Sequence, residues 1–458
     1  MSFEMTTLGK YIKVQGGYAY KSKDFIEFSK NKVLKIKNVR FGTVDYAEPA
    51  YVSDEIAEST KNWKVKEGDV LISMTGSGPN APLSLVGRVA RVWKNEPDSW
   101  INQRVGRICL LDEDSVHLDF IFYWLSLPQS QDYLVSNSSG SANQANISGK
   151  TIESLPCPKV DYQTSKQIAD LARKFDEKVI LNSKTNQTLE EMAHAIFKSW
   201  FVDFDPVKAK MNGEQPEGMD AATASRFPEK LVETDMGEIP EGWQLVPVGK
   251  LLSKTIGGDW GKEEPDAKHT EEVRIVRGTD IPKLHGGAIE SVPVRFVEAK
   301  KLKTRKLERG DIVIEVSGGS KDQPTGRSLF ISDNILKRLK LPSEPASFCR
   351  RFQPVNYEVG LLLAVHFQLM YKAGKTWEYQ NQSTGISNFQ TTYFLEAEHV
   401  VVPSQEVLDA FVKQVSPMMD MIHSNQNIEL AKLRDTLLPK LLSGEIELGQ
   451  AQELAEVE

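Results

Sequence analysis

Two kinds of apolar pattern alternate along this chain. Short β-rich runs come first, at Val33–Val39, Asp69–Ser73 and Leu85–Val92, each bounded by Gly, Pro, Asn and Ser clusters. Such runs predict strands between turns. Phe120–Leu127 and Ser130–Val135 predict a helix pair interrupted at Pro128. The period then changes. Over residues 165–202, Ile168, Phe175, Asn182, Leu189 and Ile196 recur every seventh position, with Leu171, Val179, Met192 and Trp200 between them. That is the seam of a long heptad helix. At ~1.5 Å per residue it spans about 57 Å. The whole order then returns. Strands are predicted near Arg274–Val276 and Asp311–Val316, a helix at Tyr357–Tyr371, and a second long helix at about Gln405–Leu442. Phe411, Val415, Met418, Ile422, Asn425, Leu433, Leu437 and Leu441 lie on one side of that last helix.

The return is visible in the letters. KVKEGDVLISMTGSG around Gly68 recurs as KLERGDIVIEVSGGS around Gly310, and Gly9-Lys10 recurs as Gly249-Lys250. NISGKTIESLPCP aligns with GISNFQTTYFLEAEHVVVP, placing Ile147 opposite Ile386. Solenoid repeats have periods of roughly 20–50 residues; this one is far longer, so it is a duplicated globular unit followed by a duplicated helix. The expected divisions are a first unit at 1–160, a long helix at 161–205, a connector at 206–240, a second unit at 241–404, a second long helix at 405–445 and an acidic tail at 446–458. The connector is rich in Pro, Gly and acid, with room for one short helical piece near Met219–Arg226. Asn182 and Asn425 occupy corresponding seam positions. A buried seam Asn costs stability and fixes register. Two alternatives stand beside that reading: tolerated polar residues, or helices that pack on the globular units.

Charge refines the picture. The net charge is −7, but residues 1–160 carry 19 basic and 18 acidic side chains and residues 241–404 carry 23 and 20. The excess acid lies in the helical segments and the tail. A mildly basic unit can still present one strongly basic face. The three cysteines are far apart, which argues against a disulfide framework or a structural zinc site. The N-terminus lacks the apolar core of a signal peptide. The apolar run Val359–Met370 is too short to span a bilayer. The expectation is a reduced, soluble, cytoplasmic protein.

Catalytic chemistry finds little support. No GxxxxGK phosphate loop occurs, and the glycine-rich runs MTGSGPNA and VSGGSKDQ lack a following helix. No Asn/Asp-Pro-Pro-aromatic tetrad of an amino-methylating pocket is present, and the seven histidines have no metal-ligand spacing. Asp203, Asp205 and Lys208 lie close together, but at a helix end before Pro206, where capping explains them. What recurs is a polar loop type. Thr75, Ser77 and Asn80 follow the first Gly-Asp strand, and Ser320, Lys321 and Gln323 follow the second. Arg88 and Arg327 close the two loops. Small polar residues let a backbone approach a phosphate. Tyr18, Tyr20, Lys21 and Lys23 interleave aromatics and cations, as do Trp260 and Lys262. Asn102, Gln103 and Arg104 are matched to Cys349, Arg350 and Arg351, and Ser141, Asn143 and Gln144 to Gln382 and Ser383. Arg to guanine and Asn or Gln to adenine are common major-groove pairings. These residues are the candidate DNA-binding set.

With repeat and helices in hand, the chain resembles the DNA specificity subunit of type I restriction–modification systems. The resemblance rests on LNSKTNQTLEEMAHAIFKSWFVDFDPVKAKMNGEQPEGM, on FPEKLVETDMGEIPEGW, on LRDTLLPKLLSGEIEL near the C-terminus, and on the framework strands GDVLISMTGS and NISGKTIESLPCP. It implies an α+β chain: two similar mixed α/β target-recognition domains, separated by two long antiparallel helices forming a coiled coil. Phe175, Asn182, Leu189, Ile196, Trp200, Met418, Ile422, Asn425, Leu433 and Leu437 would form that coiled coil and its partner-binding face. It further implies double-stranded DNA as ligand, two adenine methyltransferase (modification) subunits and two restriction-translocase subunits as partners, and no membrane. S-adenosylmethionine, ATP and Mg would be bound by those partners, and this chain would hold no cofactor and no catalytic residue. The alternatives are a stand-alone DNA-binding regulator or anti-phage decoy on the same scaffold, and a self-contained nuclease or methyltransferase.

Overall fold

The computed structural model describes residues 3–78, 85–141, 144–320, 322–383, 386–424 and 426–451. It divides into two compact units, Met1–Lys178 with Leu430–Glu458, and Val179–Glu429.

In the first unit an antiparallel sheet has the strand order Ile12–Gly16, Val105–Leu110, Val70–Ser73, Val89–Arg91. A second sheet joins Phe25–Ile26, Ala50–Val52, Asn31–Leu34 and Ser99–Ile101, the last pair parallel. Met5–Thr7 pairs with Pro156–Pro158 and closes the unit. Val70, Leu71 and Ile72 are all fully buried, which a continuous apolar strand requires when both faces are covered. The helix Leu118–Ser126 covers one face, capped by His117, and Pro128 opens the next helix, Pro128–Ser136. Pro128 therefore acts as a starter, since its missing N–H is not needed in a first turn. Val33–Val39, expected as one strand, is split. Asn31–Leu34 is a strand, and Ile36–Asn38 is a 3-10 turn held by Lys35 N donating to Asn38 Oδ1 at 2.9 Å.

The second unit repeats this plan sheet by sheet. Leu252–Gly257, Cys349–Pro354, Ile312–Glu315 and Ser328–Phe330 form the first sheet. Val294–Glu298, His269–Val276 and Ser343–Pro345 form the second, again with a parallel final pair. Gln244–Pro247 with His399–Val402 closes the unit. The single helix Tyr357–Lys372 replaces the helix pair of the first copy.

The first long helix, Tyr162–Phe201, is 40 residues. Its early turns supply Ile168, Ala172 and Phe175 to the core of the first unit, together with Leu437, Leu438, Leu441 and Leu442. Its last turns supply Phe197, Trp200 and Phe201 to the core of the second, where Phe411 meets Phe201 at 5.0 Å and Trp200 meets Phe227 at 5.0 Å. Leu433 packs against the first core, Leu189, Ile196 and Met418 pack against the second, and Ile422 is buried in it. The seam residues thus serve the globular cores as well as the other helix. Within the second unit Asn182 meets Gln426 at 3.5 Å and, further along, Phe197 meets Phe411. The numbering rises on one helix and falls on the other, so the pair is antiparallel.

Two expectations need correction. The C-terminal helix is not continuous: Gln405–Ile422 ends at His423, and Gln426–Ser443 follows. Ser and Asn favour caps and turns over helix interiors. His423 is fully buried at the break, its Nδ1 against Ser332 Oγ at 2.9 Å and its Nε2 against His285 Nδ1 at 3.2 Å. Asn425 lies outside the described residues. The connector is also more structured than its composition suggests. It holds the helices Asp205–Met211 and Ala221–Ala224 and a hairpin, Leu231–Thr234 with Gly237–Pro240. Phe227, Ile239 and Trp243 anchor it in the second core.

Candidate nucleic-acid interface

Three backbone segments meet at the same place in each unit. In the first, Gly17 donates to Val105 O at 2.9 Å, Tyr18 to Ile101 O at 3.0 Å and Val105 to Asn102 O at 2.7 Å. In the second, Gly258 donates to Cys349 O at 3.1 Å, Asp259 to Pro345 O at 3.0 Å and Cys349 to Ala346 O at 2.8 Å. The approach demands glycine. A Cβ on Gly17 would stand 2.2 Å from Asn102 O, and one on Gly258 2.1 Å from Ala346 O. The third segment is the exit from the Gly-Asp strand. Met74 donates to Arg104 O at 2.9 Å, and Val316 to Phe348 O at 2.8 Å.

The chain then enters a small three-stranded sheet. Thr75–Gly76 pairs with the hairpin of Ser139–Ser141 and Gln144–Asn146, and Ser317–Gly318 pairs with that of Gln380–Ser383 and Ile386–Phe389. One side-chain bond locks each: Thr75 Oγ1 to Asn146 Oδ1 at 2.7 Å, and Ser317 Oγ to Asn388 Oδ1 at 2.6 Å. Loops that the sequence offered separately are gathered into one constellation, twice.

Strand register corrects the alignment of the copies. Gly16 pairs with Gly106, and Gly257 with Arg350. Arg350 therefore corresponds to Gly106 and Arg351 to Arg107, while Asn102-Gln103-Arg104 corresponds to Ala346-Ser347-Phe348. Ile147 donates to Met74 O at 3.0 Å and Phe389 to Val316 O at 2.9 Å, so Ile147 matches Phe389 and not Ile386. The shared Ile-Ser of NISG and GISN, and an arginine common to Asn102-Gln103-Arg104 and Cys349-Arg350-Arg351, align the letters out of register with the strands.

Lys21, Lys23, Gln103, Arg104, Gln144, Trp260, Lys262, Ser320 and Gln323 are exposed, and Tyr18, Ser77, Asn102 and Arg350 are half-buried. Among the described residues no carboxylate pairs with Lys21, Lys23 or Arg104. Lys262 pairs with Asp266 at 2.6 Å, and the Arg295 guanidinium stands 5.0 Å over the Trp260 ring. Arg350 donates to Thr255 Oγ1 at 3.2 Å and lines a cavity of about 470 Å³ with Lys250, Thr391, Thr392 and Glu396. Asn80, Asn143 and Lys321 lie outside the described residues, as do the side chains of Ser141, Gln382 and Ser383.

Five candidates are internal and do not face a ligand. Tyr20 is buried with its hydroxyl on Thr60 Oγ1 at 3.0 Å, and burial pushes its phenol up. Thr75 is spent on Asn146. Arg88 is buried and donates to the Val39, Leu85 and Ile36 carbonyls at 2.9, 3.1 and 2.8 Å, with burial pushing the guanidinium down. Arg327 forms a two-pronged pair with Glu315 at 2.9 and 2.6 Å, which pushes its guanidinium up. Arg351 pairs with Asp311 at 2.8 Å in the interior. Buried guanidinium groups need such acceptors.

Sequence reasoning missed the exposed aromatics. Phe28 is 78% exposed beside Tyr51, Phe41 is 52% exposed and Phe348 65%. The run FSKNK, aromatic beside lysines, was the signal available for Phe28.

Glu344 adjoins the second constellation. It is fully buried, and among the described residues neither carboxyl oxygen has a hydrogen-bond partner. Burial pushes its carboxyl up to about 7. In the first unit the corresponding strand position holds Trp100. A raised folded-state pKa contributes stability below the unfolded value and loses it as pH rises through the folded value. Glu344→Gln should therefore be more stable than the parent at pH 8, by roughly 3 kcal/mol, and should converge with it near pH 4. Denaturant titrations at the two pH values check this, and a pH-independent difference counts against it.

Among the described residues no cluster of three or more His, Cys, Asp or Glu could hold a metal ion, and no helix is long and apolar enough to cross a membrane.

Residues 3–191 match a protein family described as the type I restriction modification DNA specificity domain. The type I restriction enzyme HindI specificity subunit of Haemophilus influenzae is 27% identical over 436 residues, covering 83% of this chain and 87% of that protein. The type I restriction enzyme MjaIX specificity subunit of Methanocaldococcus jannaschii is 24% identical over 349 residues, covering 74% and 72%. The crystal structure of a type I restriction-modification system S subunit from M. genitalium shares the fold over 96% of each chain, with a TM-score of 0.56 at 15% identity. Residues 3–191 thus match the type I restriction–modification DNA specificity domain, and over most of its length the chain is similar to specificity subunits of type I restriction enzymes, in agreement with the duplicated constellation.

Proposed function

We propose that this chain reads a bipartite DNA target, one half-site per unit, and scaffolds the enzymes that act on it. The observation that carries the reading is the duplicated constellation: the same glycine-dependent backbone frame, built twice, with different side chains on display. A shared frame with different tips suits two half-sites of different sequence. The chain supplies recognition and no chemistry. Two adenine methyltransferase subunits and two restriction-translocase subunits supply it, with S-adenosylmethionine, ATP and Mg on those partners. A duplicated chain suits this, because it offers near-equivalent surfaces to two identical partners.

Co-expression with its modification subunit in a methylation-free host, followed by mapping of methylated adenines, tests the reading. A split motif with a fixed gap is expected. An assembled complex that methylates nothing would turn the assignment toward a free-standing DNA-binding regulator or decoy. The long helices are the proposed ruler for the gap. Removing one heptad from each should shorten the spacer and leave both half-sites unchanged; altered half-sites with an unchanged gap would show that the helices do not set it.

A further inference from the structure

Four matched hydrogen bonds define one turn in each unit. The turn Asn102-Gln103-Arg104 leaves the strand Ser99–Ile101 and enters Val105–Leu110; the turn Ala346-Ser347-Phe348 leaves Ser343–Pro345 and enters Cys349–Pro354. Each turn is closed on itself by the bond from Val105 to Asn102 O or from Cys349 to Ala346 O. Each is held against the glycine pair by the bonds from Gly17 and Tyr18, or from Gly258 and Asp259. Each offers its last carbonyl to the residue that opens the small sheet, Met74 or Val316. The backbone is therefore the same to the level of individual bonds. The residues it displays are not: one turn presents Gln103-Arg104, the other Ser347-Phe348.

Exposure follows that difference. Arg104 is exposed and has no ion pair among the described residues. Phe348 is 65% exposed and stands beside the exposed Ser347, although Ala346 and Cys349, which bracket the pair, are buried. A phenylalanine held outward by a fully bonded backbone gains nothing for the fold. One exposed apolar residue alone would be unremarkable. Here it occupies the slot that carries an unpaired arginine in the other copy, beside the same small sheet and the same glycine turn.

We propose that Arg104 and Phe348 occupy one specificity-determining position of this scaffold, each reading a base of its own half-site. This rests on the DNA-reading function proposed above and deepens it. The two side chains fit different base edges. Arginine donates to guanine O6 and N7, whereas a phenyl ring makes apolar contact with a thymine methyl. Arg350 is not part of this slot; its pairing with Gly257 makes it the counterpart of Gly106, which pairs with Gly16 in the first unit.

The test uses the full chain co-expressed with its modification subunit in the methylation-free host, with host genomic DNA as the probe and methylated adenines as the readout. Phe348→Ala and Phe348→Arg should each change one half-site only, by raising modification of sites that differ from the parental motif at one position of that half-site about tenfold or more relative to parental sites. Arg104→Ala and Arg104→Phe should do the same to the other half-site. Thermal midpoints should stay at the parental value, since both side chains are outside the cores. The proposal is overturned if the Phe348 variants leave both half-sites and their modification levels unchanged. It is overturned equally if they lower modification uniformly at every site, or lower the thermal midpoint in step with activity. A parental complex that assembles and modifies no adenine removes the DNA-reading function and this inference with it.

Discussion

Replacing Arg351 by alanine should lower the stability of the second unit by roughly 3–5 kcal/mol and leave the salt dependence of DNA binding untouched. Arg351 and Asp311 side chains are 5% and 3% exposed and meet at 2.8 Å. The guanidinium also donates to Thr304 O at 3.1 Å and to Glu308 Oε2 at 3.2 Å. Asp311 accepts the Glu308 N–H at 2.6 Å, fixing the turn before the strand. Burial pushes the Asp311 carboxyl up to about 6 even with its partner in place. Removing the arginine leaves a carboxylate with no counter-charge in the interior, the expensive way to break a buried pair. An Arg351→Met, Asp311→Leu double variant should recover part of the loss, because it removes both charges. Urea titration measures the stability. A phosphate-contacting arginine would behave differently: its loss would reduce the slope of log affinity against log salt by about one. An Arg351→Ala protein that is fully stable and shows a flatter slope would return this residue to the DNA-facing set. The first unit carries the same pair, Arg107 with Asp69 at 3.2 Å, at side-chain exposures of 12% and 18%. Its loss should cost less.

That pair marks the boundary of what the letters could say. The Gly-Asp repeat was legible as a repeat, and it placed the strands correctly. Its chemistry was not, because the arginine that answers the aspartate lies on a neighbouring strand, and only strand register identifies it. The same gap explains Arg88 and Arg327. An arginine in a polar loop reads as a phosphate ligand until the fold shows its donors already used on three carbonyls or on Glu315. Heptad spacing predicted the long helix Tyr162–Phe201 well. It could not predict the break at His423, since the local sequence HSNQ fits both a seam with a polar register residue and a turn. What decides is the buried bond of His423 to Ser332, on an element far away in sequence. Phe348 is the converse case. By residue type it belongs in a core, and only the bonded turn around it holds it outside.

Glu398→Gln should destabilise the second unit at neutral pH and lose that effect in acid. Burial acts to raise this carboxyl, but it is overcome by three donors from two elements: His366 Nε2 at 2.8 Å from the helix Tyr357–Lys372, and Lys375 Nζ at 2.8 Å and the Tyr379 hydroxyl at 2.6 Å from the 3-10 turn Lys375–Tyr379. Together they hold it at about 2. A depressed carboxylate pKa contributes stability above the unfolded value and loses it as pH falls through the folded one. The parent should therefore exceed Glu398→Gln by roughly 3 kcal/mol near pH 7, with the gap closing between about pH 4.5 and pH 2. The difference between the two proteins at each pH, read from denaturant midpoints, isolates this carboxyl from general acid unfolding. A constant gap across that range would mean that the network acts by packing alone. The location gives the number a structural meaning. Tyr379 is the residue immediately before the strand Gln380–Ser383, and His366 sits in the helix Tyr357–Lys372 beneath it. Glu398 thus ties the base of the displayed hairpin to the core helix. Amide exchange in Gln380–Ser383 should accelerate in Glu398→Gln before the core helix loosens, because the hairpin loses its anchor while the helix keeps its buried apolar face.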